Sequence, residues 1–119
     1  MQGENENGYS VMFTEEFSLC LDRIQSFFAK QEPDVLEWWY QKEDEIIDYI
    51  EKMLSSNPFI GTEVKNGIFK GLRQITYGKN RHRMLNYLIF YAVHENDRII
   101  DVINILPSRS SRQRVRLNK

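Results

Sequence analysis

The sequence predicts an α+β fold, in which a helical hairpin packs on a mostly antiparallel four-stranded sheet in the order β-α-α-β-β-β. Three observations lead to this prediction. Two amphipathic segments with helical period occupy residues 14–54, β-prone apolar segments occupy residues 68–106, and short polar turns separate those segments. Strands joined by short turns pair antiparallel. With 119 residues, of which 41% are hydrophobic, the chain suits one domain with one modest core.

The first strand and the first helix follow one another directly. Tyr9–Phe13 is short, apolar and β-prone, which predicts a strand. Thr14 can cap a helix with its hydroxyl, and Glu15 and Glu16 favour the positive end of the helix dipole. The predicted helix runs to about Lys30. Its apolar face comprises Phe17, Cys20, Leu21, Ile24, Phe27 and Phe28.

A second helix is predicted after a break at Pro33. Asp34 and Glu37 have the spacing of a capping box, which starts this helix at Asp34. It ends before Asn57-Pro58, because proline disfavours helical geometry in the residue before it. The short linker between the helices predicts an αα-hairpin. The apolar stripe of the second helix comprises Leu36, Trp39, Tyr40, Ile46, Ile47, Ile50, Met53 and Leu54.

Three strands are predicted in the second half of the chain. Ile68–Tyr77 is the first, and Arg83–Val93 is the central one, because both of its alternating faces are apolar. His94–Asp97 predicts a hairpin turn, and Ile99–Leu106 predicts the last strand. The first strand of the chain joins this sheet, and the helical hairpin covers one of its faces.

The boundaries expected from this pattern are a disordered N-terminus at 1–8, a single domain at 9–107 and a basic C-terminal tail at 108–119. Neither a signal peptide nor a membrane-spanning stretch is apparent, so the cytoplasm is the expected compartment and no membrane partner is expected. Cys20 is the single cysteine, which excludes an internal disulfide and a cysteine-based zinc site. His82 and His94 are too far apart to suggest a metal site, and no cofactor is expected.

Charge is distributed unevenly along the chain, although the net charge is only -1. Residues 1–64 carry 14 acidic and 4 basic side chains, whereas residues 65–119 carry 3 acidic and 12 basic ones. Such a split favours an anionic or acidic partner for the second half. The alternative is that the two halves neutralise each other within one fold.

Cleavage of RNA through its own 2′-hydroxyl needs a base, an acid and positive charge on the phosphate. The candidates are Lys79, Arg81, His82, Arg83, Tyr87 and Arg109, and after them His94 and Tyr91. For binding an anionic partner, the candidates are Arg73, Lys79, Arg81, Arg83, Arg109 and Arg112. Each has a plainer interpretation: Tyr87 and Tyr91 as core residues, His82 and His94 as exposed turn residues, and the loop from Gly78 to Arg83 as a solvated surface.

Several motifs in this arrangement resemble the RelE/ParE toxin family of type II toxin–antitoxin systems. They are YLIFYAV at Tyr87–Val93, NPFIG at Asn57–Gly61, the pair Leu72-Arg73, and a basic SR segment after Pro107. The resemblance covers about residues 9–112. It implies the predicted fold, a role in plasmid stabilisation, and a cognate antitoxin that wraps the toxin and masks its basic surface.

The two branches of the family imply different activities. In the RelE-like branch of ribosome-dependent mRNA endonucleases, an arginine usually follows the tyrosine in the central strand, and a second follows the last strand. Leu88 occupies the first position here and Arg109 matches the second. YLIFY is more similar to the ParE branch of DNA gyrase inhibitors, although Leu106–Arg109 keeps only the arginine of that branch's His-Gly-Arg-Arg-like ending.

The resemblance therefore favours a non-enzymatic inhibitor of DNA gyrase. Two alternatives stay open: an mRNA interferase that acts on the ribosome and its message through the basic loop, and a degenerate family member without toxicity.

Overall fold

A computed structural model describes residues 8–31, 33–78 and 86–108, without the side chain of Pro33. Two helices, α1 (Glu15–Ala29) and α2 (Pro33–Ser56), pack on one sheet. Its strands are β1 (Ser10–Phe13), β2 (Thr62–Glu63), β3 (Arg73–Tyr77), β4 (Tyr87–His94) and β5 (Ile99–Pro107). The α+β prediction is thus confirmed, with five strands instead of four. The additional strand, β2, has only two residues and therefore no alternating pattern by which to predict it.

The strands lie in the order β1-β5-β4-β3-β2, so β4 is central, as predicted. All neighbours pair antiparallel except β1, which pairs parallel with β5. One face of β4 contributes Tyr87, Ile89 and Tyr91 to the core under the helices. On the other face Phe90 is buried beneath Phe69, whose ring stacks on it at 4.1 Å.

Thr14 caps α1 and also attaches it to the sheet. Its hydroxyl oxygen accepts a hydrogen bond from the Phe17 N–H at 3.2 Å and donates one to the Val102 carbonyl at 2.9 Å. The apolar face of α1 is buried as predicted except for Phe27, which is 47% exposed. The spacing of apolar residues identifies the buried face of a helix but not how wide that face is. Phe27 lies beyond the part of the face that the sheet covers.

Helix α2 begins at Pro33, so Asp34 lies in the first turn and the prediction that it starts the helix is wrong by one residue. Proline is favoured at this position because its missing N–H would have no helical partner. Trp39, Ile46, Ile50 and Leu54 are fully buried. Tyr40 is 48% exposed, so its assignment to the apolar stripe is wrong.

Three predicted strands begin later in the structure. β1 begins at Ser10 rather than Tyr9. The first strand of the second half begins at Arg73 rather than Ile68, because the φ of Gly71, +95°, lies outside the β region and turns the chain. The central strand begins at Tyr87; of the four residues predicted before it, 83–85 lie outside the described residues and Asn86 is not in the strand. The predicted hairpin turn joins β4 to β5 but lies one residue later than predicted, at 95–98, because His94 is the last residue of β4. Arg98, which ends the turn, has left-handed geometry at φ +57°.

Candidate functional site

One end of the sheet, which we call the Tyr87 end, brings together Tyr77 at the end of β3, Tyr87 at the start of β4 and Pro107 at the end of β5. Tyr87 lies opposite Tyr77 on one side and Pro107 on the other. Beyond the strands, the Ser108 N–H donates to the Asn86 carbonyl at 2.9 Å. The connection between β3 and β4 and the segment after β5 are therefore attached to the fold side by side.

Both basic segments of the sequence are attached at this end. The first follows Gly78 and the second follows Ser108. Six of the predicted site residues lie outside the described residues: Lys79, Arg81, His82, Arg83, Arg109 and Arg112. The described residues to which the two segments are attached, Gly78 and Ser108, lie at one end of the sheet, although 30 positions separate them in sequence.

Tyr87, a candidate in the sequence, is 1% exposed. Its ring lies 6.1 Å from the ring of Trp39, which is itself fully buried. Burial favours the interpretation of Tyr87 as a core residue over a role in proton transfer to a substrate, because the ring is covered by α2.

Arg73 and His94 lie at the opposite end of the sheet. The Arg73 guanidinium donates to the carbonyls of Phe59 at 3.2 Å and Gly61 at 2.7 Å, and lies over the Phe59 ring at 5.2 Å. His94 pairs with Asp101, with Nε2 2.9 Å from Oδ2, on an exposed surface. The structure therefore does not bring either residue to the Tyr87 end, and Arg73 holds the segment that precedes β2.

An apolar groove of about 300 Å³ opens beside the Tyr87 end, between α1 and β5. Phe27 and Leu106 are partly exposed along it, and the Arg23 guanidinium lies 3.9 Å from the Cys20 sulfur within it. A second, shallower depression continues from Arg23 toward Lys30. The lining residues of the groove are Cys20, Arg23, Ile24, Phe27, Phe28, Tyr87, Ile105, Leu106 and Pro107.

Along the same groove, one side of β5 has no strand neighbour among the described residues. β1 pairs only with Ile99–Val102, after which the chain turns into α1. Within the described part of the chain, β5 from Ile103 to Pro107 has a strand neighbour only on the β4 side. Unpaired N–H and C=O groups of an edge strand can pair with a strand of another chain. Sequence reasoning missed this groove because its two walls are about 80 residues apart in the chain.

A polar cluster of Lys42, Glu45 and Tyr77 braces α2 against β3 at the same end. The Lys42 ammonium donates to Glu45 at 3.0 Å, and the Tyr77 hydroxyl donates to the same oxygen at 3.3 Å. The Lys42 Nζ also lies over the rings of Trp38 and Tyr77, at 5.9 and 5.8 Å. The spacing of Lys42 and Glu45 on a helix is visible in the sequence, but their contact with Tyr77 is not.

The protonation of this cluster suits a brace rather than a catalytic base. The hydrogen bond from Lys42 lowers the pKa of Glu45, and the same bond raises the pKa of Lys42. Burial raises the pKa of Tyr77. At neutral pH the pair is therefore ionised and the phenol keeps its proton.

Residues 8–31, 33–78 and 86–108 contain no group of three or more His, Cys, Asp and Glu side chains that could hold a metal ion. Within the same ranges, no helix combines the length and the apolar character that crossing a membrane requires.

Comparison with known proteins identifies a relationship over most of the chain. Residues 11–112 match the family described as ParE toxin of type II toxin-antitoxin system, parDE. Among solved structures, the chain is similar to one in the toxin-antitoxin complex RelBE2 from Mycobacterium tuberculosis, with a TM-score of 0.52 and 16% identity. That match covers 82% of this chain and 95% of the other. No curated protein matches.

Proposed function

This chain belongs to the ParE toxin family of type II toxin–antitoxin systems, within the RelE/ParE superfamily, and we propose that it inhibits DNA gyrase and is neutralised by a cognate antitoxin. The proposed setting is the cytoplasm, in a system that stabilises plasmids. The toxin role and the existence of an antitoxin partner follow from the family. What we propose in addition is the target of the toxin and the residues that contact the target and the antitoxin.

The observation that carries the choice of gyrase is Leu88. In the sequence it stands where the endonuclease branch places the arginine of its central strand. In the structure Leu88 is half-buried in β4, opposite Thr76 and Leu106. An uncharged side chain here supplies no positive charge for a scissile phosphate. Tyr87, next to it, is covered by Trp39.

The antitoxin is proposed to dock in the groove between α1 and β5. An apolar side chain of the antitoxin can fill the space bounded by Phe27, Phe28 and Leu106, while its backbone pairs with the open side of β5. Arg23 on the groove favours a carboxylate in that segment. Acidic residues that continue past the groove would meet the basic segments attached at Ser108 and Gly78.

The basic residues Lys79, Arg81, Arg83, Arg109 and Arg112 are proposed as binding residues of the toxin, on the strength of the common attachment of their segments. Arg73 keeps a supporting role, since its guanidinium is bonded to the chain itself.

A supercoiling assay tests the gyrase proposal. Purified protein should inhibit supercoiling by gyrase, and addition of the antitoxin should restore it. Leu106→Asp places a charge in the groove and should weaken antitoxin binding while leaving inhibition of gyrase intact; Ile99→Val, in β5 away from the groove, is the control. Protein that leaves gyrase untouched but cuts message on translating ribosomes would overturn the proposal.

That outcome would favour the second candidate, a ribosome-dependent mRNA interferase. It is supported by the strongly basic second half of the chain and by Arg109, which matches the arginine after the last strand in the endonuclease branch. Lys79, Arg81, His82 and Arg83 would then be the first catalytic candidates to replace. Cells that grow normally when the protein is expressed alone would instead identify a member without toxicity.

A further inference from the structure

The loop between β2 and β3 displays a single isoleucine. We call residues Val64–Leu72 the Ile68 loop. Ile68 is 91% exposed, whereas the other exposed large apolar side chains of the described residues range from 38% to 51%. A lone exposed apolar residue needs no explanation by itself. What distinguishes Ile68 is the rigid way in which the loop holds it.

The loop is closed on itself and fixed to the sheet. Gly67 and Gly71 have φ values of +87° and +95°. A Cβ at either position would meet no atom within 4 Å, so the backbone geometry alone favours glycine there. Phe69, next to Ile68, stacks on Phe90 at 4.1 Å and 17°. Four backbone hydrogen bonds close the loop: Val64 N to Leu72 O at 2.8 Å, Gly71 N to Val64 O at 3.0 Å, Leu72 N to Phe69 O at 3.0 Å and Lys70 N to Gly67 O at 3.1 Å.

A side chain held in this way is preorganised for binding. Little ordering of the loop remains to be done when Ile68 enters a pocket, so more of the burial free energy is available for affinity. The loop also lies away from the groove between α1 and β5, where the antitoxin is proposed to dock. It precedes Arg73, which begins β3, whereas Tyr77 at the Tyr87 end finishes the same strand.

The charges around Ile68 indicate the partner. Lys65 and Lys70 are exposed on either side of it, and the Ile68 loop has no carboxylate of its own. Glu63 in β2 is the carboxylate before the loop, and its Oε1 lies 3.6 Å from the Lys65 Nζ. A partner surface with carboxylates around an apolar pocket is complementary to this pattern. The apolar groove of a second copy does not match this pattern, because the charged residue in its lining is Arg23.

We propose that Ile68 is the anchor by which the toxin binds its target protein, entering an apolar pocket rimmed by carboxylates. This inference rests on the proposed toxin function, and it names a residue through which the toxin contacts its target. A lipid surface fits less well, since a single isoleucine supplies only a fraction of the apolar burial that membrane anchoring needs. Nucleic acid fits less well too, since the most projecting group is apolar rather than cationic.

The test compares three variants expressed without antitoxin at equal protein level: Ile68→Glu, Ile68→Val as the conservative change, and Tyr40→Glu as the control. Tyr40 is 48% exposed on α2, so the control introduces the same charge at another exposed apolar position. Ile68→Glu should abolish growth arrest and weaken binding to purified gyrase about tenfold to a hundredfold. The other two variants should arrest growth as the parent does.

Folding and antitoxin binding serve as internal checks. Because Ile68 is almost fully exposed, Ile68→Glu should leave the urea midpoint and antitoxin affinity unchanged. If Ile68→Glu arrests growth as strongly as the parent, the inference is wrong and the proposed function stands. If it disrupts antitoxin binding or a self-association of the toxin instead, the occupant is the antitoxin or a second copy, and the inference is again wrong.

Failure of the proposed function gives different results. A parent protein that does not arrest growth removes both the toxin role and this inference. A parent protein that arrests growth without affecting gyrase removes only the choice of gyrase, and the growth comparison of the variants still decides the role of Ile68.

Discussion

A buried hydrogen bond between Tyr91 and Gly61 offers the sharpest test of how the fold is held together. The Gly61 N–H donates to the Tyr91 hydroxyl oxygen at 3.0 Å, and both residues are buried. Tyr91 lies in the central strand, and Gly61 precedes β2. The bond therefore fixes the segment that leads from α2 to the edge of the sheet.

Replacing Tyr91 with phenylalanine keeps the ring and removes the acceptor. The Gly61 N–H cannot move toward water easily, because the chain there already lies against the Gln74 carbonyl: a Cβ on Gly61 would be 2.4 Å from that oxygen. An orphaned buried donor costs about 1–3 kcal/mol. We therefore expect Tyr91→Phe to lower the free energy of unfolding by about 2 kcal/mol, which is a large share of the total for a small domain.

Urea denaturation followed by fluorescence measures this change, with an unchanged slope as the sign that the unfolding transition itself is the same. Tyr49→Phe is the matched control. Its hydroxyl donates to the Thr76 carbonyl at 3.0 Å, but that bond is exposed, so water replaces it and the loss should stay below about 1 kcal/mol. Equal losses for the two variants would refute the argument that burial of the Gly61 N–H sets the cost.

Three further predictions concern the helix cap, a loop glycine and a half-buried carboxylate. Thr14→Ala should lower the free energy of unfolding, measured in urea, by about 1–2 kcal/mol, because one hydroxyl both caps α1 and bonds to β5. Thr14→Ser keeps the hydroxyl and should retain most of that free energy. Gly71→Ala should lower the free energy of unfolding by about 1 kcal/mol, because the φ of Gly71 is +95°, and Gly71→Asn should lower it less. Burial, and then Asp44 and Asp22, raise the pKa of Glu43, so the contribution of this carboxyl group to stability falls as pH rises through the carboxylate range. Glu43→Gln should accordingly raise the melting temperature at pH 7 and not at pH 4; a gain that is equal at both pH values would contradict this.

Local signals predicted much of the fold. Thr14 followed by two glutamates marks the start of α1, and the structure places the cap there. The doubly apolar pattern of Tyr87–Val93 identifies the central strand, because only a strand covered on both faces hides Phe90 as well as Tyr91. These features depend on residues close in sequence, where period and capping chemistry are informative.

The predictions from sequence are wrong where contacts between distant parts of the chain determine the local structure. Ile68 and Phe69 are β-prone, but Gly67 and Gly71 turn the chain there, so the side chain of Ile68 points to solvent and that of Phe69 packs on Phe90. The exposure of Phe27 depends on how far β5 extends beside α1. The spacing of apolar residues along the helix does not contain that information. The groove escapes sequence reasoning for the same reason, since Phe28 and Leu106 meet only in the folded chain.

The arrangement of the sheet separates the two proposed contacts of the toxin. β3 alone spans about 14 Å from Tyr77 to Arg73, and the Ile68 loop extends from its far end. An antitoxin segment confined to the groove beside Tyr87 would therefore leave Ile68 uncovered. Neutralisation then requires one of two things: an antitoxin long enough to reach both ends, or a target that contacts the basic segments as well as Ile68. In the second case, covering the Tyr87 end removes one of two linked contacts, and the loss of their combined affinity is sufficient to release the target.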